Sequence, residues 1–258
     1  MKNKRFLGQH FLISKIIKEK ICDIVNEYLH LCNSLLEIGS GDGAITESLL
    51  KFNKPLFAIE KDPNLVKILK EKYRNLILFK EDARTFNLDQ IDKKFFPIQV
   101  VGNLPYYAAT EIILNILFHP SKISSSHFTV QKEVAKKFSS KTNEEYYSKY
   151  SVWTAVFYET KKEFDIKSGA FSPPPKVLSS FITFIPREEG ILREKDAAKF
   201  FNFVENIFIH QRKKVLSIFS QILNVENLEN FLNFEKNSRA KELSPETYFQ
   251  IFQKLSTI

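Results

Sequence analysis

The chain has 258 residues, 43% hydrophobic and 26% charged, a composition that excludes a disordered tail or a fibre and allows a sizeable buried core. Its net charge of +8 is carried mostly by lysine; this suits an anionic partner such as nucleic acid or a membrane surface, though lysines that merely solvate helix faces give the same balance. No run reaches about 18 apolar residues, which excludes a helical membrane span, and the basic start Met1 to Gly8 leads into no signal core, so a cytoplasmic protein without membrane contact is expected.

Residues 1 to 13 read as an arm containing Gly8-Gln9-His10-Phe11-Leu12. Ser14 can cap a helix over 15–29, where Ile17, Ile21, Ile24, Val25 and Tyr28 recur at helical spacing. Cys22 and Cys32, the only cysteines, lack metal spacing and are expected as reduced thiols. Short apolar runs then alternate with helical segments. Strands are predicted at 35–38, 56–59, 76–79, 98–101 and 127–130, and helices at 44–51, 63–73, 109–118 and 131–138. Such alternation predicts a parallel α/β sheet, with ligands beyond the carboxyl ends of its strands. Gly39-Ser40-Gly41, Glu60, Asp82 and Asn103 all fall at such ends.

After residue 146 the pattern changes. Tyr150 to Tyr158 is aromatic-rich, 162–166 and 179–185 read as two strands that could pair as an antiparallel edge, and Pro173-Pro174-Pro175 stiffens the loop between them. From Pro186 to Gly190 the chain passes into a segment with no convincing strand. Helices are expected around Phe200 to Phe219, interrupted by His210-Gln211-Arg212-Lys213-Lys214, and at 225–233 and 245–256. Two domains follow: 1–187, and a helical domain at 188–258 with a basic cluster that can contact nucleic acid.

The polar strand ends define the chemistry. Glu37-Ile38-Gly39-Ser40-Gly41-Asp42-Gly43 is a glycine-rich turn that lets backbone approach a ligand. Gly39, Gly41 and Ala44 also satisfy the dinucleotide fingerprint, so nicotinamide-type and adenosylmethionine-type sites both fit, and Glu37 with its alternating glycines tips the balance to the second. Glu60 can accept both hydroxyls of a ribose in either case. Asp82 can accept a hydrogen bond from an adenine amine; helix N-capping is the plainer alternative. Asn103-Leu104-Pro105-Tyr106 supplies a job that a simple turn would not. Adenine's exocyclic amine is a poor nucleophile because its lone pair is delocalised. The Asn103 side-chain oxygen and the Leu104 carbonyl can accept its hydrogens and favour a pyramidal nitrogen, while Tyr106 stacks on the base and Phe171 approaches its other face. No metal is needed, and the five histidines show no mutual metal spacing.

In order and spacing these stretches resemble the ribosomal RNA adenine N6-dimethyltransferase family that acts on the small subunit. The resemblance extends through Gln131-Lys132-Glu133-Val134-Ala135, Phe171 to Val177, Gln211 to Lys214 and Arg239 to Pro245, and so covers essentially the whole chain. It implies a Rossmann-like class I methyltransferase with a mostly parallel seven-stranded sheet and a small all-helical C-terminal domain. It further implies S-adenosyl-L-methionine as cofactor, held by His10, Leu12, Gly39, Gly41, Glu60, Asp82 and Asn103. The target adenine would be held by Asn103, Leu104, Tyr106 and Phe171. The implied partner is the rRNA of an immature small subunit, methylated at two adjacent adenosines of a hairpin loop near its 3′ end by a monomeric enzyme. His10 replaces the family's usual Asn, making pH-sensitive cofactor affinity an expectation, and Ser40 replaces its usual Pro, which loosens the glycine turn. Competing readings are a large-subunit adenine methyltransferase of the macrolide-resistance type and a non-catalytic rRNA-binding assembly factor.

Overall fold

The computed structural model describes residues 9–187, 194–222 and 237–255. The contacts divide these into two units: residues up to Ala135 with Lys161–Pro186, and Lys136–Thr160 with those from Arg187 onward.

The first unit is built on a seven-stranded sheet. Its strands are β2 (Ser34–Ile38), β3 (Leu56–Ile59), β4 (Ile77–Phe79), β5 (Ile98–Asn103), β6 (Ile123–Gln131), β7 (Tyr158–Ile166) and β9 (Ser179–Pro186), in the order β4-β3-β2-β5-β6-β9-β7. The pairs β2–β3, β3–β4, β2–β5 and β5–β6 are parallel, and β9 returns antiparallel to β6. The two last strands are neighbours, as the sequence suggests, with β9 inserted beside β6 and β7 left at the edge. A further two-stranded pair joins β1 (Phe11–Leu12) to β8 (Phe171–Ser172).

The central strands β2 and β3 are buried along their whole length, as near-continuous apolar runs in a covered parallel sheet should be. β6 is polar yet buried. His127 is fully inaccessible, and its ring meets Thr183 at 3.0 Å, Ser125 at 2.9 Å and Gln99 at 3.0 Å. Burial pushes its pKa down to about 3, so it stays neutral, the form this network can hold.

The helices start where their caps predict. Ser14 accepts the Ile17 amide before α1 (Lys15–Glu27), and Asp62 accepts that of Asn64 before α3 (Pro63–Lys72), which has Pro63 in its first turn. The helix expected at 44–51 is only α2 (Thr46–Leu49) followed by a 3₁₀ turn, because the glycine turn runs on to Gly43. α4 (Ala109–Leu117) and α5 (Lys132–Ser139) follow β5 and β6.

The second unit contains α6 (Lys149–Phe157), α7 (Glu194–Ile209), α8 (Val215–Ile222) and α9 (Pro245–Leu255). The aromatic stretch Tyr150 to Tyr158 is therefore mostly helix, and it groups with the C-terminal helices although the sequence reading assigned it to 1–187. Trp153 and Phe157 cause this: Trp153 packs edge-on against Phe201, its indole donates to the Ala197 carbonyl at 3.0 Å, and Phe157 meets Phe200. The Tyr147 and Tyr248 hydroxyls donate to Leu243 and Ala240 carbonyls, each at 2.8 Å, anchoring the Arg239–Pro245 motif. The helix expected at 225–233 lies outside the described residues.

Candidate active site

The parallel order reverses direction at β2, whose neighbours are β3 and β5. Ligand crevices form at such a switch point. Ile38 pairs with Gly102, which brings the glycine turn after β2 beside Asn103 at the end of β5. A cavity of about 320 Å³ opens there. His10 and Leu12 line it from the arm, Gly39, Gly41 and Glu60 from the ends of β2 and β3, and Asp82 from the turn after β4. Asn103, Leu104 and Tyr106 complete the wall. Four successive strand ends thus converge on one space, within the size range of small-molecule sites.

The glycine turn is held by its own amides. Gly39, Gly41 and Gly43 have φ of +68°, +57° and +86°. Gly39 N donates to the Ile59 carbonyl at 2.8 Å, Gly41 N to Glu60 Oε2 at 3.0 Å and Gly43 N to the Ser40 carbonyl at 2.8 Å. All three N–H groups have protein acceptors. A pyrophosphate would require such amides to be available, together with the N-terminus of a substantial helix. The engaged glycine amides and the single-turn helix Thr46–Leu49 that follows both count against the dinucleotide alternative. Glu60 also accepts the Asp62 amide at 2.9 Å, which fixes its carboxylate at the cavity wall with acceptor capacity remaining.

Glu37 lies beneath the turn, 2% exposed. Burial raises its pKa to about 7, partly offset by the Thr46 hydroxyl, which donates to it at 2.5 Å. Asp82 is shifted the other way. Hydrogen bonds from the Arg84 side chain outweigh partial burial and bring it to about 2. Asn115 on α4 donates to the carbonyls of Ala83 at 3.0 Å and Phe86 at 2.9 Å, tying that turn to the helix.

The geometry of Asn103 is specific. Its Nδ2 donates to the His10 carbonyl at 2.8 Å, so the amide orientation is set and no described residue donates to Oδ1. His10 Nδ1 donates to the Pro173 carbonyl at 2.7 Å, and its ring centroid lies 5.2 Å from that of Tyr106. The Tyr106 hydroxyl and Ser179 Oγ are 2.5 Å apart, and the Leu104 amide donates to Thr129 at 3.0 Å. An amide oxygen, a backbone carbonyl and an aromatic face are thus presented by one short loop.

Phe171 does not join them. It is 2% exposed, pairs across β8 with Leu12, and belongs to a core cluster with Ile21, Val25 and Phe181. An apolar ring beside a strand partner is buried by that pairing, and it does not line the cavity. Conversely, several residues escaped the sequence reading. Phe11 covers the glycine turn, Lys61 donates to the Tyr107 hydroxyl at the cavity mouth, and Ser179 partners Tyr106. Lys61 and Tyr107 each adjoin a recognised position, and that adjacency was the available signal. Ser179 had none, being far from Tyr106 in sequence.

Sheet order and converging strand ends define a Rossmann-like methyltransferase. Crystal structures of the same fold include a dimethyladenosine transferase from Plasmodium falciparum, with TM-score 0.78 and 23% identity, covering 96% of this chain and 98% of that one. The 23S rRNA methyltransferase ErmE gives 0.71 at 22% identity, covering 95% and 99%. The sequence model for ribosomal RNA adenine dimethylase matches residues 1–257. The chain is similar to proteins named ribosomal RNA small subunit methyltransferase A. The one from Sulfurihydrogenibium sp. is 36% identical, covering 98% of this chain and 96% of that protein, and the one from Persephonella marina is 33% identical, covering 97% and 92%. The chain belongs to the ribosomal RNA adenine dimethylase family, and it is an rRNA adenine dimethyltransferase.

Proposed function

We propose that the protein dimethylates the N6 amines of two adjacent adenosines in the 3′-terminal hairpin loop of small-subunit rRNA, using S-adenosylmethionine. It acts as a cytoplasmic monomer on an immature subunit. The observation that carries this reading is the oriented amide of Asn103, whose Oδ1 is left for an incoming amine. The names of its relatives at 33–36% identity support the small subunit over the large one.

Glu60 would hold the cofactor's ribose and Asp82 its adenine, with His10, Leu12, Gly39 and Gly41 closing around them. Their donor and acceptor set fits the group: acceptors stand at two strand ends, and the glycine amides are already engaged. S-adenosylmethionine, when bound, supplies a methyl on a sulfonium that needs no metal for activation. Asn103 Oδ1 and the Leu104 carbonyl accept the hydrogens of the target amine and localise its lone pair, while Tyr106 holds the base face-on. After the first methylation one hydrogen is gone, so one of the two acceptors loses its partner in the second step.

The unit of residues up to Ala135 with Lys161–Pro186 carries the cavity and would be the catalytic one, and the helical unit of Lys136–Thr160 with the residues from Arg187 onward would contact rRNA. Among the basic residues, the 210–214 cluster lies in the turn between α7 and α8. That cluster would contact rRNA phosphates, and so would Lys2 and Lys4 of the N-terminal arm, which lie outside the described residues. The deciding experiment incubates the protein with labelled S-adenosylmethionine and unmethylated small or large subunits, then maps the modified bases. Label in two adjacent adenosines of the small-subunit hairpin is expected; label in the large subunit overturns the assignment.

A further inference from the structure

Asp82 is the most heavily engaged carboxylate of the cavity wall, and its partner belongs to none of the recognised motifs. Arg84 Nε lies 3.1 Å from Oδ1 and 3.2 Å from Oδ2, Nη2 lies 2.7 Å from Oδ2, and the Arg84 backbone amide donates to Oδ1 at 3.0 Å. The same guanidinium reaches α4, where Nη1 is 3.6 Å from Glu111 Oε2. It is thereby pinned between the turn after β4 and the helix that follows the Asn103 loop. A two-pronged contact of this kind holds a carboxylate in one plane, which a lysine ammonium cannot do.

An ionised carboxylate offers about four lone-pair positions. The Arg84 amide takes one on Oδ1, Nη2 takes one on Oδ2, and the single Nε hydrogen, nearly equidistant, is shared between the two oxygens. Lys61 Nζ, 3.9 Å from Oδ2, adds charge without a hydrogen bond. Three N–H donors for about four positions leave the carboxylate capacity for one further N–H. We propose that Arg84 is a positioning residue that presents this remaining acceptor to the exocyclic amine of the cofactor's adenine, and so sets the pocket's preference for adenine over a 6-oxopurine. The inference rests on the reading in which Asp82 accepts that amine. A 6-oxopurine carries an oxygen where the amine would be. A carboxylate fixed by Arg84 opposes that oxygen, whereas an unfixed one can turn away.

Calorimetric binding of S-adenosylhomocysteine and S-inosylhomocysteine to the full chain tests this. Arg84→Ala is expected to weaken the adenine ligand about tenfold and change the inosine ligand by less than about twofold, so the preference narrows about tenfold. Arg84→Lys, with charge but no fork, is expected to narrow it similarly. The Arg84 side chain is 39% exposed, so both variants are expected to fold. Equal weakening of both ligands, or an unchanged preference, overturns the proposal. Asp82→Ala separates it from the reading beneath. If Asp82→Ala abolishes the preference while Arg84→Ala keeps it, the role of Arg84 alone is refuted. If Asp82→Ala keeps the preference, Asp82 does not read the amine and both ideas fall.

Discussion

At the scale of single residues, the proposed methyl transfer relies on acceptors that are fixed before substrate arrives. Asn103 has its donor end engaged by the His10 carbonyl, so its oxygen needs no reorganisation. Asn103→Ala is expected to lower methyl transfer by about 10²–10³-fold while rRNA affinity changes little, as measured by single-turnover labelling beside a filter-binding assay. Parallel loss of both would indicate a folding role instead. Ser179→Ala leaves the Tyr106 hydroxyl without its partner, a cost of about 1 kcal/mol, and kcat/KM is expected to fall about fivefold. Glu37 gives a pH signature. Its folded pKa of about 7 lies above its ordinary 4.5, so the folded state binds its proton more tightly. The stability this contributes is fully present below about pH 4.5 and is lost as pH rises through 7. Glu37→Gln keeps an acceptor for Thr46 without titrating. Thermal melting between pH 4.5 and 7.5 should therefore show wild type losing ~3 kcal/mol more than the variant.

Among the elements, the short pair β1–β8 matters beyond its length. It holds the arm against the loop containing Phe171, and it puts the Phe11 ring over the glycine turn. A Cβ added at Gly41 would lie 3.0 Å from that ring, and φ of +57° disfavours any side chain. Gly41→Ala should cost about 1–2 kcal/mol from backbone conformation alone, plus displacement of Phe11, read as a lower Tm. The same pairing explains why Phe171 lies in the core and not in the cavity lining. Phe171→Ala should destabilise by about 3–5 kcal/mol as a core truncation, whereas Phe171→Leu should keep most stability and most activity. Selective loss of kcat in a stable Phe171→Leu protein would return the ring to the target base.

For the molecule as a whole, net charge and fold contribute separately. A chain of net charge +8 that binds rRNA through lysines should show an affinity that falls steeply with salt, and a flat log–log plot would contradict phosphate contacts. The two units also show how local patterns mislead at this scale. Tyr150 to Tyr158 has apolar residues on all sides, so neither helical nor strand periodicity stands out, and it is contacts such as those of Tyr150, Trp153 and Phe157 with α7 that assign it to the helical unit.

The central strands β2, β3 and β5 and their polar ends were legible in the sequence because each is a nearly continuous apolar run in a covered sheet and a ligand group follows where that run stops. The Asn103 loop and the glycine turn were legible for the same reason. Tertiary structure alone decided which groups face the cavity and which are already engaged. Phe171 went to the core, the glycine amides turned inward, Ser179 met Tyr106 from 73 positions away, and Arg84 closed on Asp82 and Glu111. Side-chain direction and hydrogen-bond occupancy depend on partners brought from distant segments, and no local pattern of residues encodes them.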